Sequence, residues 1–298
     1  MSNPLTDFSN GLTSAVEKGG ANTILVDARK HYPASGIAYA EDIILTADHV
    51  VTREDDIKVL LPDGKSLSAT VAGRDPGSDL ALLRLAEKVL SPAKTSDDVK
   101  VGQLVLALGR PNSAGMQASW GIVTAISGPA RTFRGGLLDE YISTETTPYP
   151  GFSGGPLVNT EGEVLGLNTS GLTRGSSLTI PVKVAWRIAA ALAKHGSVKR
   201  GYLGVRTQPV EISEAARKSI KREQTSGLLI LWLEENGPAQ QGGLFVGDTI
   251  VAIGNQPVGD PDDLFSALNS DTVGKSVAGE VLRGGRPETV VVTVGERK

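Results

Sequence analysis

The chain lacks cysteine altogether. That excludes disulfides, thiolate nucleophiles and cysteine-ligated metals. Histidine is nearly as scarce: three residues, His31, His49 and His195, lie too far apart for a zinc site of ordinary spacing. No cofactor is expected, since the glycine-rich stretches match neither a P-loop nor a dinucleotide fingerprint. An excess of one charge is missing too. A net charge of −3 leaves no footprint for nucleic acid and no electrostatic anchor for a membrane. No apolar run is long enough to span a bilayer. Residues 1–20 have neither a basic n-region nor an apolar h-region, so they do not read as a signal peptide. The expectation is a cytoplasmic protein, the alternative an exported one whose signal segment has been removed.

Aromatics are few at 4%, whereas the 298 residues hold 36 Gly and 16 Pro. Much Gly, few aromatics and many Val, Ile and Leu predict a turn-rich β protein with an aliphatic core. Residues 21–180 read as short apolar runs broken by turns, among them Thr23–Asp27, Leu80–Leu85, Leu104–Leu108 and Val164–Thr169. About a dozen such runs without a long helix between them argue for antiparallel barrels or a sandwich. One helix follows. Val182–His195 places Val184, Ile188, Ala191 and Leu192 on one side, and Gly196 is its C-cap. From Gly201 the pattern restarts as alternating strands and short helices, ending in a hairpin around Gly284-Gly285. A boundary near residue 198 gives an N-terminal segment 1–20, a first domain 21–198 and a small second domain 199–298.

The sharpest local feature is Gly151-Phe152-Ser153-Gly154-Gly155-Pro156. A serine among glycines has a mechanical reason: small neighbours let backbone N–H groups approach a reacting carbonyl. Such a serine needs a base. Thr46-Ala47-Asp48-His49 offers a histidine directly after an apolar strand. Asp75-Pro76-Gly77-Ser78-Asp79-Leu80 offers an aspartate at a turn that leads into an apolar strand. A buried carboxylate there can fix the histidine tautomer. Asp48 is a rival carboxylate, but a direct sequence neighbour tends to point away, which favours Asp79. His31 and His195 have no motif context and read as surface or helix-end residues.

The order His, Asp, Ser and the three local motifs resemble the trypsin-like fold, and most closely the HtrA/Deg group, in which such a protease precedes one or two PDZ domains. The resemblance implies a mainly β chain: a double β-barrel with the catalytic cleft between the barrels, then a PDZ domain with two helices. It implies His49 as general base, Asp79 as its orienter and Ser153 as nucleophile, with the N–H groups of Gly151 and Ser153 as oxyanion hole. HtrA members usually carry Asn before the nucleophile; this chain has Phe152. Proline fixes φ, so Pro148-Tyr149-Pro150-Gly151 is stiff, and stiffness with aromatic packing is expected to hold the loop instead.

By position relative to Ser153, the specificity pocket is expected to have Thr147 at its base, Thr169-Ser170-Gly171 as a wall and Leu178-Thr179 closing it. Without a carboxylate at the base it suits a small or medium aliphatic side chain. Arg200-Gly201-Tyr202-Leu203-Gly204-Val205 resembles the PDZ carboxylate-binding loop. The peptide would add as a strand beside Leu203–Thr207, its last side chain meeting Leu203, Leu264 and Leu268. The function expected is a serine endopeptidase that cuts unfolded or damaged proteins through an acyl-enzyme and binds peptide C-termini. The family further implies a homotrimer packed near Phe8 and Leu12. Two other readings stand beside it: a peptide-binding, chaperone-like protein that no longer cuts, and a hydrolase of non-peptide esters.

Overall fold

The apolar runs of the first two hundred residues close on themselves. The computed structural model describes residues 3–132, 136–172, 177–197, 201–268 and 272–296. The chain divides into two units, Met1–Val198 and Lys199–Lys298. The expected boundary near residue 198 and Arg200 lie outside the described residues.

In the first unit, β1 (Thr23–Asp27), β2 (Ala34–Ala40), β3 (Ile43–Ala47), β4 (Ile57–Leu60), β5 (Ser66–Asp75) and β6 (Leu80–Leu85) form a closed antiparallel barrel in the order β1-β2-β3-β6-β5-β4. The second barrel uses β7 (Leu104–Asn112), β8 (Gly115–Ser127), β11 (Tyr141–Thr144), β12 (Pro156–Val158), β13 (Val164–Thr169) and β14 (Leu178–Pro181), in the order β11-β14-β13-β12-β7-β8. Between β8 and β11 lies a two-stranded ribbon, β9 (Ala130–Arg131) with β10 (Leu137–Leu138). Closure leaves no strand edge unpaired and buries the inward residues of every strand. Ile44, Leu45, Leu80, Leu82 and Leu83 are wholly buried. Each such side chain contributes about 1.5–3 kcal/mol by leaving water.

Two helices pack on the barrels. The sequence pattern assigns no element to the N-terminal segment, yet α1 (Pro4–Gly20) forms there. Its N-terminal signals are Asn3, whose side chain accepts the Leu5 N–H, and Pro4 in the first turn. Three internal or terminal glycines weaken its propensity, and tertiary packing overrides them. Gly19 shows why a glycine stands there: a Cβ would lie 2.8 Å from Leu108 Cδ1 and 3.0 Å from Val158 Cγ1, so the helix could not approach β7 and β12. The second helix, α2 (Val182–His195), ends at Gly196 in the left-handed conformation, φ +74°.

The second unit is built on the sheet β16 (Val205–Glu211), β17 (Ser226–Leu233), β18 (Thr249–Ile253), β20 (Ser276–Arg283) and β21 (Arg286–Thr293), in that order, with β19 (Gln256–Pro257) on β18. A further pair joins β15 (Gly201–Tyr202) to β22 (Gly295–Glu296). Three short helices accompany the strands: α3 (Glu214–Ile220), α4 (Pro238–Gln241) and α5 (Pro261–Ala267). Asp260 and Asp263 form a reciprocal capping box at the start of α5. Gly284 and Gly285 both have positive φ, as a two-residue hairpin turn between β20 and β21 requires. No helix among the described residues is long and apolar enough to cross a membrane.

Candidate active site

His49 sits on a single 3-10 turn, Asp48–Val50, that begins where β3 ends. Asp79 closes the turn before β6 at φ +57°, a left-handed conformation that aspartate tolerates better than most residues. The Asp79 side chain is wholly buried, and both oxygens are used. Oδ1 accepts the His49 backbone N–H at 2.8 Å, and Oδ2 lies 2.8 Å from His49 Nδ1. The Thr169 hydroxyl also donates to Oδ2. One carboxylate thus holds both the turn and the ring of His49. Asp48, the rival, is 2% exposed and paired instead with Arg74, whose Nε lies 2.7 Å from its Oδ1.

Ser153 lies in a folded loop between β11 and β12. Within it the Phe152 N–H donates to Tyr149 O at 3.1 Å, Gly155 N–H to Phe152 O at 2.9 Å and Gly154 N–H to Asn168 O at 2.8 Å. Among the described residues no partner is found for the N–H groups of Gly151 and Ser153. They are the two amides that the family resemblance implies as an oxyanion hole. The Ser153 hydroxyl lies 3.2 Å from Ser170 Oγ. Phe152 is 2% exposed and meets Tyr149 edge-on, ring centroids 5.4 Å apart. A Cβ on Gly109 would come within 2.5 Å of the Phe152 ring, so the missing side chain of Gly109 is the slot the ring fills.

His49, Gly151, Ser153 and Ser170 line one cleft of about 740 Å³. Ala107, Thr144, Thr146, Asn168, Leu178 and Thr179 line it too. Two expectations need correction. Thr147 is exposed and does not line the cleft; its N–H is tied to Ser119 Oγ at 2.7 Å, and Thr144 and Thr146 occupy the place expected of it. Gly171 is not wall either. It backs the His49–Asp79 pair, its N–H donating to Thr169 Oγ1 at 2.9 Å. Thr169 and Ser170 do line the cleft. Asn168 had no sequence signal. Its Oδ1 accepts from Thr179 Oγ1 at 2.7 Å while its Nδ2 is buried with no partner among the described residues. No carboxylate belongs to the described lining, but Arg29, Lys30, His31 and Tyr32 do. Burial lowers the Arg29 guanidinium from its ordinary value. His31 is exposed, as read from the sequence, but beside the cleft rather than remote from it.

In the second unit Gly204 has φ +74°, and its carbonyl accepts the Glu234 N–H at 2.8 Å. Tyr202 Oη donates to Glu234 Oε2 at 2.6 Å, and Leu203 O accepts the Ala239 N–H at 2.9 Å. Residues 202–205 are therefore a braced turn leading into β16, with Val205 its first residue. Among the described residues β16 pairs with β17 alone and ends the sheet. Leu203, Leu264 and Leu268 sit in one core cluster with little of each exposed. Leu12 packs on the barrel core, while Phe8, 49% exposed, meets Trp120 edge-on at 6.3 Å.

Comparison with known proteins agrees with this geometry. Residues 34–167 match the trypsin-like peptidase domain, and residues 201–294 the PDZ domain. A protein of Pseudomonas fluorescens named a probable periplasmic serine endoprotease, DegP-like, is 38% identical over 266 residues, 87% of this chain and 55% of its own length. One of Halomonas elongata with the same name is 38% identical over 88% of this chain and 56% of its own. The chain thus spans about half the length of these curated relatives. Among solved structures, the HtrA-type protease AlgW with a decapeptide superimposes with a TM-score of 0.80 at 27% identity, covering 96% of this chain and 99% of that one. The serine endoprotease from Yersinia pestis gives 0.79 at 26% identity, over 96% and 98%. The relatives' periplasmic naming overturns the expectation of a cytoplasmic protein and points to an exported one. Folded domains keep no record of the segment that directs export, so the residues read here could not report the compartment.

Proposed function

Since the chain belongs to the HtrA/Deg family of trypsin-like proteases with PDZ domains, we propose that it is a serine endopeptidase acting on unfolded or damaged proteins. One observation carries the reading: a fully buried Asp79 bonded to His49 Nδ1, with Ser153 in the same cleft. The roles follow from the chemistry. His49 takes the proton of the Ser153 hydroxyl through its other ring nitrogen. Ser153 Oγ attacks the peptide carbonyl, and the N–H groups of Gly151 and Ser153 receive the developing oxyanion. Asp79 stabilises the imidazolium; protonated His49 then gives its proton to the leaving amine. Water, activated by His49, releases the acyl group.

A small or medium aliphatic side chain before the cut bond fits the carboxylate-free lining of Ala107, Thr144, Thr146 and Leu178. Arg29 and Lys30, in the lining of the same cleft, add positive charge that would disfavour Lys and Arg. In the second unit the turn at residues 202–205 is proposed to hold a peptide C-terminus, the peptide adding as a strand to the free edge of β16. The homotrimer is proposed to assemble on the exposed Leu5, Phe8, Trp120 and Ile122, the last two sharing one face of β8. Leu12 is set aside, because it faces the barrel core.

A second reading, a chain that binds peptides without cutting them, draws on the Ser153–Ser170 hydroxyl contact, which engages the nucleophile with a group that cannot activate it. One experiment separates the two. The protein is treated with a fluorophosphonate probe and digested for mass spectrometry, and casein cleavage is followed in parallel. Labelling at Ser153 and cleavage that Ser153→Ala abolishes are expected. An unlabelled Ser153 with intact casein would establish the binding protein.

A further inference from the structure

We propose that Ser35 is a positioning residue of the oxyanion loop, clamping it from the opposite barrel. The inference rests on the proposed roles of Gly151 and Ser153. Ser35 is a wholly buried residue of β2, in the first barrel, while the loop belongs to the second. Its hydroxyl donates to the Gly151 carbonyl at 2.7 Å and accepts the Arg110 N–H at 2.8 Å. Its own N–H donates to the Ser153 carbonyl at 3.1 Å. Its carbonyl is in turn held by Thr46 Oγ1 at 2.7 Å, so the clamp is itself braced.

The arrangement has a particular logic. The two amides that would face an oxyanion belong to peptides 150–151 and 152–153. Ser35 holds peptides 151–152 and 153–154, which alternate with them. Peptide 152–153 is also fixed by its carbonyl, which accepts the Gly155 N–H at 2.9 Å. Peptide 150–151 has no hydrogen bond of its own among the described residues, so the torsions of Gly151 aim its N–H. Gly151 is at φ +88°, and glycine moves between backbone regions at little cost. The Phe152 ring fixes where the loop sits, but a ring cannot orient a peptide plane by hydrogen bonding. The hydroxyl of Ser35 does this for the Gly151 carbonyl, together with the Phe152 N–H bond to Tyr149 O on the other side of the same peptide. Removing it would leave that buried carbonyl and the half-buried Arg110 N–H without their partner, and the loop would turn to satisfy them.

The test is Ser35→Ala in the full chain, read in four ways. kcat on a peptide substrate should fall on the order of ten- to a hundred-fold, with KM within about two-fold, because the lost alignment is felt in the transition state. Affinity for a peptide aldehyde, whose adduct with Ser153 places an oxygen in the hole, should fall by the same factor. Hydrogen exchange of the bonded amides of Phe152, Gly154 and Gly155 should rise. A folded Ser35→Ala protein with unchanged kcat, aldehyde affinity and exchange overturns the proposal. So does a loss carried by KM alone. If Ser35→Ala does not fold, Ser35→Cys, of similar size but a poorer donor, decides by the same readings: an intermediate loss supports the clamp and none overturns it. The exchange reading needs no turnover. A wild-type chain that neither cuts nor takes the fluorophosphonate refutes the endopeptidase reading, while exchange still decides the clamp.

Discussion

At the scale of single residues, missing side chains matter as much as those present. A Cβ on Gly171 would fall within the radii of Asp79 Oδ2 and His49 Nδ1 and lie 2.8 Å from Asp79 Cγ. Nothing flexible stands there to give way. Gly171→Ala should displace the imidazole from its aspartate and lower kcat by roughly ten- to a hundred-fold, since misplacing a reacting group by about 1 Å has that effect. Circular dichroism should show the fold retained. Wild-type kcat would mean that the pair accommodates a methyl group. Residues of this kind escape a reading by motif. His49, Asp79 and Ser153 carry chemistry in their side chains and announce themselves, whereas Gly171 works by what it lacks. Thr147 misled for a related reason. Its number relative to Ser153 is right, but past the end of β11 its N–H turns to Ser119 and the side chain faces water.

At the scale of elements, β16 carries the proposed peptide site of the second unit, and the Asp248–Arg283 tie governs when the unit holds. On the proposed reading, a C-terminal peptide added to β16 would gain main-chain hydrogen bonds and place its carboxylate at the turn of residues 202–205. Affinity should be on the order of micromolar, about −8 kcal/mol. Amidating the peptide's C-terminus should weaken binding at least about ten-fold, because a charge-assisted bond becomes a neutral one. Calorimetry that finds equal affinity for acid and amide would remove the carboxylate site. Asp248 is 1% exposed. Burial alone would raise its carboxyl, but hydrogen bonds from Arg283 and the Phe245 N–H, with the Arg283 charge, outweigh it and leave the group below its ordinary range. The stability this contributes is complete above the unfolded aspartate value of about 3.9 and is lost as pH falls through the lower folded value. Asp248→Asn should speed hydrogen exchange of the β18 and β20 amides at pH 7. The difference from wild type should narrow below about pH 4. A difference independent of pH would show that the carboxylate charge is not what holds the turn.

At the scale of the whole molecule, the exposed aromatic pair is the feature that a single chain does not explain. Leu5 is 78% exposed, Phe8 49% and Trp120 60%, an apolar grouping larger than isolated surface residues produce. Phe8→Asp combined with Trp120→Asp should turn the proposed trimer into monomers, read by sedimentation velocity. Both side chains already face solvent, so the fold should survive. An unchanged mass would place the interface elsewhere. Only half of this surface had a sequence signal. Phe8 stood out in a stretch of few apolar residues. Trp120 was one apolar residue among many in a strand, and only barrel closure, which turns its face of β8 outward, brings it beside α1.

What the sequence by itself determined is local in origin. Period and turn residues mark most barrel strands, Gly196 and its positive φ end α2, and the order of His49, Asp79 and Ser153 with their neighbours names the chemistry. Each depends on a few adjacent residues, which a string displays. The tertiary structure alone decided the rest. It made a helix of α1 despite its glycines, because burial of Ala15, Gly19 and Gly20 against the barrels outweighs weak propensity. It gave Asp48, the carboxylate the sequence had set second to Asp79, a partner of its own in Arg74. It set Thr144 and Thr146 in the cleft in place of Thr147, added Asn168, and placed Ser35 under a loop 116 residues away. Those contacts join segments far apart along the chain, and their geometry exists only once two barrels have closed and met.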